Sequence, residues 1–182
     1  VSINVDFIFQ NSTIPSEKKS KYTVNFKTEA KDNPLDRAKF TEYLVKALKI
    51  DILEPKEVFK DIDIKSNDAK YIYTAYKNNL VSGFGDDTFR PNQNITKEQV
   101  YTLLIRAYEK ENGEIKLNEY KSYSYSYHSV SNWAVNYMKK AEEIGLLSRV
   151  RSNELKGEIT ESEYKRIINL YQEIYNVKKD IN

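Results

Sequence analysis

Asn79-Leu-Val-Ser-Gly-Phe-Gly-Asp-Asp-Thr-Phe-Arg-Pro-Asn-Gln-Asn-Ile-Thr-Lys-Glu-Gln99 decides how the chain is read: a helix end, a tight loop and a new helix. Leu80 and Val81 finish an apolar run, Gly83 and Gly85 allow positive φ, and Asp86-Asp87 favour a turn. Pro91 stops any helix from crossing the loop. Thr96 and Gln99 have the spacing of a capping box, in which hydroxyl and side-chain amide satisfy each other's backbone N–H groups. A helix is therefore predicted to start at Lys97.

Ser82-Gly-Phe-Gly-Asp-Asp-Thr-Phe-Arg-Pro91 followed by Ile95-Thr-Lys-Glu-Gln99 resembles the S-layer homology (SLH) repeat, with its Gly-Tyr-x-Asp-Gly-x-Phe-x-Pro loop and Ile-Thr-Arg-Ala-Glu helix start. Phe59-Lys-Asp-Ile62 stands at the family's Phe-x-Asp-Val opening, so the likeness runs from Phe59 to about Tyr108. It implies a module that holds secreted proteins non-covalently to a bacterial cell-wall polysaccharide.

Two further helix starts align with this one. Leu35-Asp-Arg-Ala38 overlays Ile95-Thr-Lys-Glu98 sixty positions earlier, with Asp36 as cap and Arg37 as first helical residue. Ile159-Thr-Glu-Ser162 overlays it sixty-four positions later, with Thr160 and Glu163 as capping box. Apolar stripes follow each: Phe40, Tyr43, Leu44, Ala47 and Leu48; Val100, Leu103, Leu104, Ala107 and Tyr108; Tyr164, Ile167, Ile168, Tyr171 and Ile174. Ser66 or Asn67 is expected to cap a helix reaching about Asn79, with Ala69, Ile72, Tyr73 and Tyr76 on its apolar side. The stretch from Ser131 resembles the family's Trp-Ala helix, Trp133 taking the place of Asn67 and Gly145-Leu-Leu-Ser148 that of Asn79-Leu-Val-Ser82. The third loop is two residues shorter and has lost the defining sequence.

Repeated units of this length cannot each close a core and must pack on one another. The expected organisation is a degenerate repeat over 1–54, a central repeat over 55–114 and a degenerate repeat over 115–182, in one compact domain. The fold class is mainly α. By resemblance it is a pseudo-threefold domain with a central three-helix bundle and projecting helix-loop prongs. At the N-terminus Ile3, Val5, Phe7 and Phe9, then Tyr22, Val24 and Phe26, alternate with polar residues, which predicts a short β-hairpin or, alternatively, an ordered arm. The Tyr120, Tyr123, Tyr125, Tyr127 run reads as a short strand or as tyrosines exposed to stack on polysaccharide.

Composition narrows the chemistry. With 29 Lys+Arg against 27 Asp+Glu there is no bulk charge to draw nucleic acid. No run of about 18 apolar residues is present, so membrane insertion is not expected. The opening at Val1, without a basic-then-apolar leader, reads as an excised or processed fragment. There is no cysteine for a disulfide or thiolate site, and His128 is the only histidine, with no Ser-His-Asp or Cys-His pairing to join. Asp86 and Asp87 lack the further oxygen ligands of a calcium loop, so a turn is the reading. No active site, metal or cofactor is expected.

One feature of the helix starts is unexplained by capping. Lys97 and Arg37 sit at first helical positions, where the helix dipole favours acids; Glu161 is what helix physics would choose. Either the cations are solvated surface charges, costing roughly a few tenths of a kcal/mol, or they meet an acidic group together with free amides at the helix N-terminus. In the family, ligand grooves lie between prongs and are lined by the Arg of the helix start, the Gly-rich loop and the Trp of the first helix. The wall polymer commonly carries pyruvyl ketals. The resemblance thus implies an anionic ligand contacted by Arg37, Lys97, Ser82, Gly83, Gly85 and Trp133, with Glu161 silent. The expected protein is extracellular, associated with cell wall or S-layer, and not an enzyme; the competing reading is an SLH-derived protein-interaction or structural module that has lost glycan binding.

Overall fold

The computed structural model describes residues 32–119, 121, 123, 130–147 and 154–181. The strands expected near the N-terminus and nearly all of the Tyr120–Tyr127 run lie outside the described residues. From Asp32 onward the chain is one compact unit. It is mainly α, as the sequence predicts, with α1 Arg37–Ala47, α2 Ala69–Lys77, α3 Lys97–Asn112, α4 Val135–Glu143 and α5 Glu161–Ile181.

The helix boundaries follow from local chemistry. Asp36 accepts the Lys39 N–H at 2.7 Å and starts α1. At α3 the Gln99 N–H donates to the Thr96 hydroxyl and the Thr96 N–H donates to Gln99 Oε1, both halves of the expected capping box. Thr160 and Glu163 repeat that arrangement at α5. At α2 the Ser66 hydroxyl accepts the Ala69 N–H, and the helix ends at Lys77 rather than Asn79. Asn79 instead turns left-handed with φ 58°, returning the Leu80 N–H to Ala75 O. Lys49 (φ 52°) ends α1 in the same way, and Gly145 (φ 79°) takes the position after α4, in accord with the overlay of Gly145 on Asn79.

Three backbone hydrogen bonds tie the helix starts into a closed ring. The Leu35 N–H donates to Ile159 O (2.8 Å), the Ile159 N–H to Ile95 O (3.0 Å) and the Ile95 N–H to Leu35 O (3.0 Å). All three side chains are buried. Antiparallel bridges Pro34–Thr160, Asp36–Asn94 and Thr96–Glu158 flank the ring. Just beyond it, the Arg37 and Ala38 N–H groups donate to Gln93 O and Pro91 O, and those of Lys97 and Glu98 to Gly157 O and Leu155 O. The Ser162 N–H donates to Asp32 Oδ1. This corrects the expectation of free amides beside Arg37 and Lys97: the incoming loop carbonyls have taken them.

Around the ring, α1 lies closest to α2, and α3 to α4. Helix α5 reaches α1 through Tyr164, which meets Phe40 edge-on and stacks on Tyr43, and reaches α3 through Tyr171 against Tyr108. The expected stripes are present, but α3 is buried well beyond its stripe, Tyr101 and Ile105 included, because elements cover more than one of its faces. A partly buried Lys140–Glu109 ion pair of 2.5 Å joins α4 to α3.

Because the ring joins segments that are distant in sequence, its three amides cannot open one at a time without leaving buried groups unpaired. Native-state hydrogen exchange should therefore find the Leu35, Ile95 and Ile159 amides among the slowest and sharing one opening free energy. Exchange of one of them at loop-like rates would show that the ring is not a single cooperative unit.

Candidate functional site

The loop Ser82–Pro91 is shaped from beneath by Phe59–Ile62. Phe59 packs against Phe89 and Tyr76. The Asp61 carboxylate accepts the Phe89 and Arg90 N–H groups at 2.8 and 2.7 Å. Gly83 is required for close approach: a Cβ there would stand 2.3 Å from the Phe59 ring and 2.7 Å from Thr88 O. This corrects the expectation of positive φ at Gly83 and Gly85. The left-handed residues are Asp87 (φ 61°) and Arg90 (φ 59°), and Asp is among the side chains that tolerate that region. Asp86 closes the turn, accepting from the Thr88 N–H and hydroxyl and pairing with Arg90, and these contacts hold its carboxyl down to about 2.

The folded loop turns two carbonyls toward Arg37. Arg37 Nε donates to Phe89 O at 2.8 Å and Nη2 to Ser82 O at 3.3 Å, while the guanidinium lies over the Phe84 and Phe89 rings. The residue is only 8 % exposed. Burial, and next the charge of Arg90, brings its pKa down to about 10 against the pull of Asp61, so it stays cationic at neutral pH. Among the described residues no carboxylate forms an ion pair with it. The two bonds use two of the five guanidinium N–H donors.

Arg37 borders a groove of about 200 Å³. Ser82 and Gly83 form its loop side, Leu103 and Thr102 belong to α3, and Trp133, 52 % exposed, stands on the α4 side. The Trp133 turn is held by buried Glu98, whose carboxylate accepts the Ser131 N–H and hydroxyl. The lining contains two arginines, Arg37 and Arg106, and no carboxylate.

Four of the six sequence-derived site residues thus meet: Arg37, Ser82, Gly83 and Trp133. Gly85 is exposed at the loop tip, outside the groove. Lys97 is elsewhere, its Nζ 2.6 Å from Glu163 Oε1, with the side chains 14 % and 29 % exposed. Glu161 accepts from the Tyr43 hydroxyl and pairs with Lys165. Sequence reading missed Gln99 and Arg106 as groove residues. Their seven-residue spacing places both on one face of α3, and Arg106 is held there by Tyr137, to whose hydroxyl its Nε donates.

Residues 58–100 match the S-layer homology domain. The chain is 31 % identical over 161 residues to the exoglucanase XynX of Acetivibrio thermocellus, covering 82 % of this chain and 14 % of that protein. It is 34 % identical over 112 residues to an endoglucanase of Bacillus sp. strain KSM-635, covering 61 % and 12 %. With the amylopullulanase of Thermoanaerobacterium thermosulfurigenes it shares 30 % identity over 162 residues, 82 % of this chain and 8 % of that protein. The chain spans at most about a seventh of the length of these relatives. The SLH match places the chain outside the cytoplasm at the cell wall or S-layer, and no described helix is long and apolar enough to cross a membrane.

Two outcomes follow from the local geometry. Gly83→Ala should cost about 1–3 kcal/mol in urea denaturation, since the new methyl must displace Phe59 or the Thr88 backbone; an unchanged midpoint would show that the loop can yield without cost. Glu163 is pushed up by burial, but Lys97 and the Thr160 N–H outweigh this and leave its pKa below the ordinary 4.5. Its stabilising contribution is therefore full above that value and is lost as pH falls through the lower folded value. Melting temperatures from about pH 5 down to about pH 3 should fall less steeply in Lys97→Ala than in the parent protein.

Proposed function

We propose that this chain anchors a secreted or S-layer protein to the bacterial cell wall by binding an anionic, pyruvylated secondary cell-wall polysaccharide in the Arg37 groove. One observation carries the reading: a buried guanidinium with unused donors borders a groove that has a second arginine and no carboxylate. Such a site discriminates by charge, since an anion gains charge-assisted hydrogen bonds there and a cation meets repulsion. The exposed indole of Trp133, also in the groove lining, offers a flat apolar face for a sugar ring. The SLH match over 58–100 supports wall anchoring in general.

The same reading takes the domain as three units about an approximate threefold axis, each helix start being one unit's share of the hydrogen-bonded ring. The units are unequal toward an acid. Lys97 is already paired and Glu161 is itself an acid, which supports the Arg37 groove, rather than those two positions, as the proposed glycan site.

Sedimentation with wall sacculi, before and after removal of the acidic polymer, tests this. The parent protein should pellet only with polymer-bearing walls. A charge-assisted hydrogen bond contributes roughly 1.5–3 kcal/mol, so Arg37→Ala should weaken binding about tenfold or more, with some loss of stability because the Phe89 and Ser82 carbonyls lose a donor. Trp133→Ala, at an exposed position, should weaken binding without that loss. Lys97→Ala and Glu161→Ala should leave affinity within about twofold, as the dipole and ion-pair effects there act on stability instead. Binding that is indifferent to Arg37→Ala and Trp133→Ala would place the ligand elsewhere.

A further inference from the structure

Two aromatic rings lie against the Arg37 guanidinium, and the protein holds them differently. Phe89 is fully buried and belongs to the core, where it packs on Phe59. Phe84 is half-buried and lies outside the core formed by the described residues, on the border of the groove. The loop sets its position instead: its N–H donates to Thr88 O at 2.8 Å and its carbonyl accepts the Asp87 N–H at 3.1 Å. The ring then meets two cations, with Arg37 Cζ 4.9 Å and Arg90 Cζ 3.8 Å from its centroid. Arg90 is itself fixed, pairing with Asp86 and donating to the Thr88 hydroxyl.

Resting on the anion-binding reading above, we propose that Phe84 is the positioning residue of the groove: its ring holds the Arg37 guanidinium in the tilt that turns its unused N–H donors toward the ligand. The two loop carbonyls grip Arg37 through Nε and Nη2 alone, which leaves the planar group free to swing about that line. A ring face opposes the swing, because the attraction depends on the cation lying over the aromatic face. This accounts for an aromatic side chain at a position the core does not use. Tyrosine, which the SLH loop carries there, supplies the same face. Phe84 acts through Arg37, since its side chain has no hydrogen-bond donor of its own to offer an anion.

Phe84→Leu removes the ring and keeps apolar bulk, whereas Phe84→Tyr keeps the ring. With sacculi bearing the acidic polymer as the probe, Phe84→Leu should weaken binding about fivefold, the weight of one half-exposed cation–π contact, and Phe84→Tyr should retain most of the affinity. In an Arg37→Ala background Phe84→Leu should change affinity by less than about twofold, since its effect passes through Arg37. The same loss in both backgrounds would mean that Phe84 meets the ligand directly, and would overturn the assignment. A second measurement needs no ligand: hydrogen exchange at the Arg37 Nε–H, followed by NMR. Exchange should quicken in Phe84→Leu and not in Phe84→Tyr, while the Phe89 and Arg90 amides, held by Asp61, exchange as in the parent. Unchanged exchange at Nε, or equal quickening of those amides through a loosened loop, would overturn the proposal whatever the sacculi show. Failure of the parent protein to bind polymer-bearing walls, with the Nε result as expected, would count against the glycan reading and leave the positioning of Arg37 by Phe84 standing.

Discussion

The ring of hydrogen bonds among Leu35, Ile95 and Ile159 is the constraint on which the described structure depends. Each residue donates to one neighbour and accepts from the other, so both polar groups of three buried peptide units are satisfied by residues distant in the chain. Removing any member would strand a donor and an acceptor in the core, at roughly 1–3 kcal/mol for each buried unsatisfied group. The bulky side chains of the same three residues are buried with it. The ring also fixes direction: α1, α3 and α5 all leave from it within two residues, and the loop preceding α3 and that preceding α5 each supply carbonyls to the start of another helix.

That arrangement explains the cations that oppose the helix dipole. A charge at a first helical position against the dipole costs about 0.3–1 kcal/mol. A hydrogen bond from a charged donor contributes about 1.5–3 kcal/mol, so Arg37, with two loop carbonyls to meet, more than offsets the penalty. Those carbonyls are turned inward because Asp61 and the Gly83–Phe59 contact hold the other side of the loop. Lys97 meets a carboxylate instead. Neither cation is a solvated surface charge, and only Arg37 is left with a groove in front of it.

Much of this was legible because capping chemistry is local. Asp36, Thr96 and Thr160 begin their helices where a short polar side chain followed by an apolar stripe requires it, and the overlay of Gly145 on Asn79 agrees with their shared left-handed turn. The constellation of Arg37, Ser82, Gly83 and Trp133 came from motif resemblance, since nothing local to Arg37 shows that a loop forty-five residues later will supply its partner. The misreadings share a cause. The amides of Arg37 and Lys97 are taken by carbonyls, Gly83 is small because Phe59 lies beneath it, and Lys97 is paired across two helix starts. Each depends on a tertiary contact with no periodic or local signature.

Since the ring is made of main-chain groups, it places few demands on the polar side chains beside it. Position one of the three helices is Arg37, Lys97 or Glu161 without a change in the bonds that define the ring. The consequences fall on the neighbourhood: Arg37 on loop carbonyls, Lys97 on Glu163, Glu161 on Tyr43 and Lys165. A scaffold closed by backbone can therefore exchange the charge at one helix start and keep its fold, because stability at that point rests on N–H and C=O groups that every residue except proline supplies. Three similar helix starts with three different electrostatic surroundings are what such a division between backbone closure and side-chain charge permits.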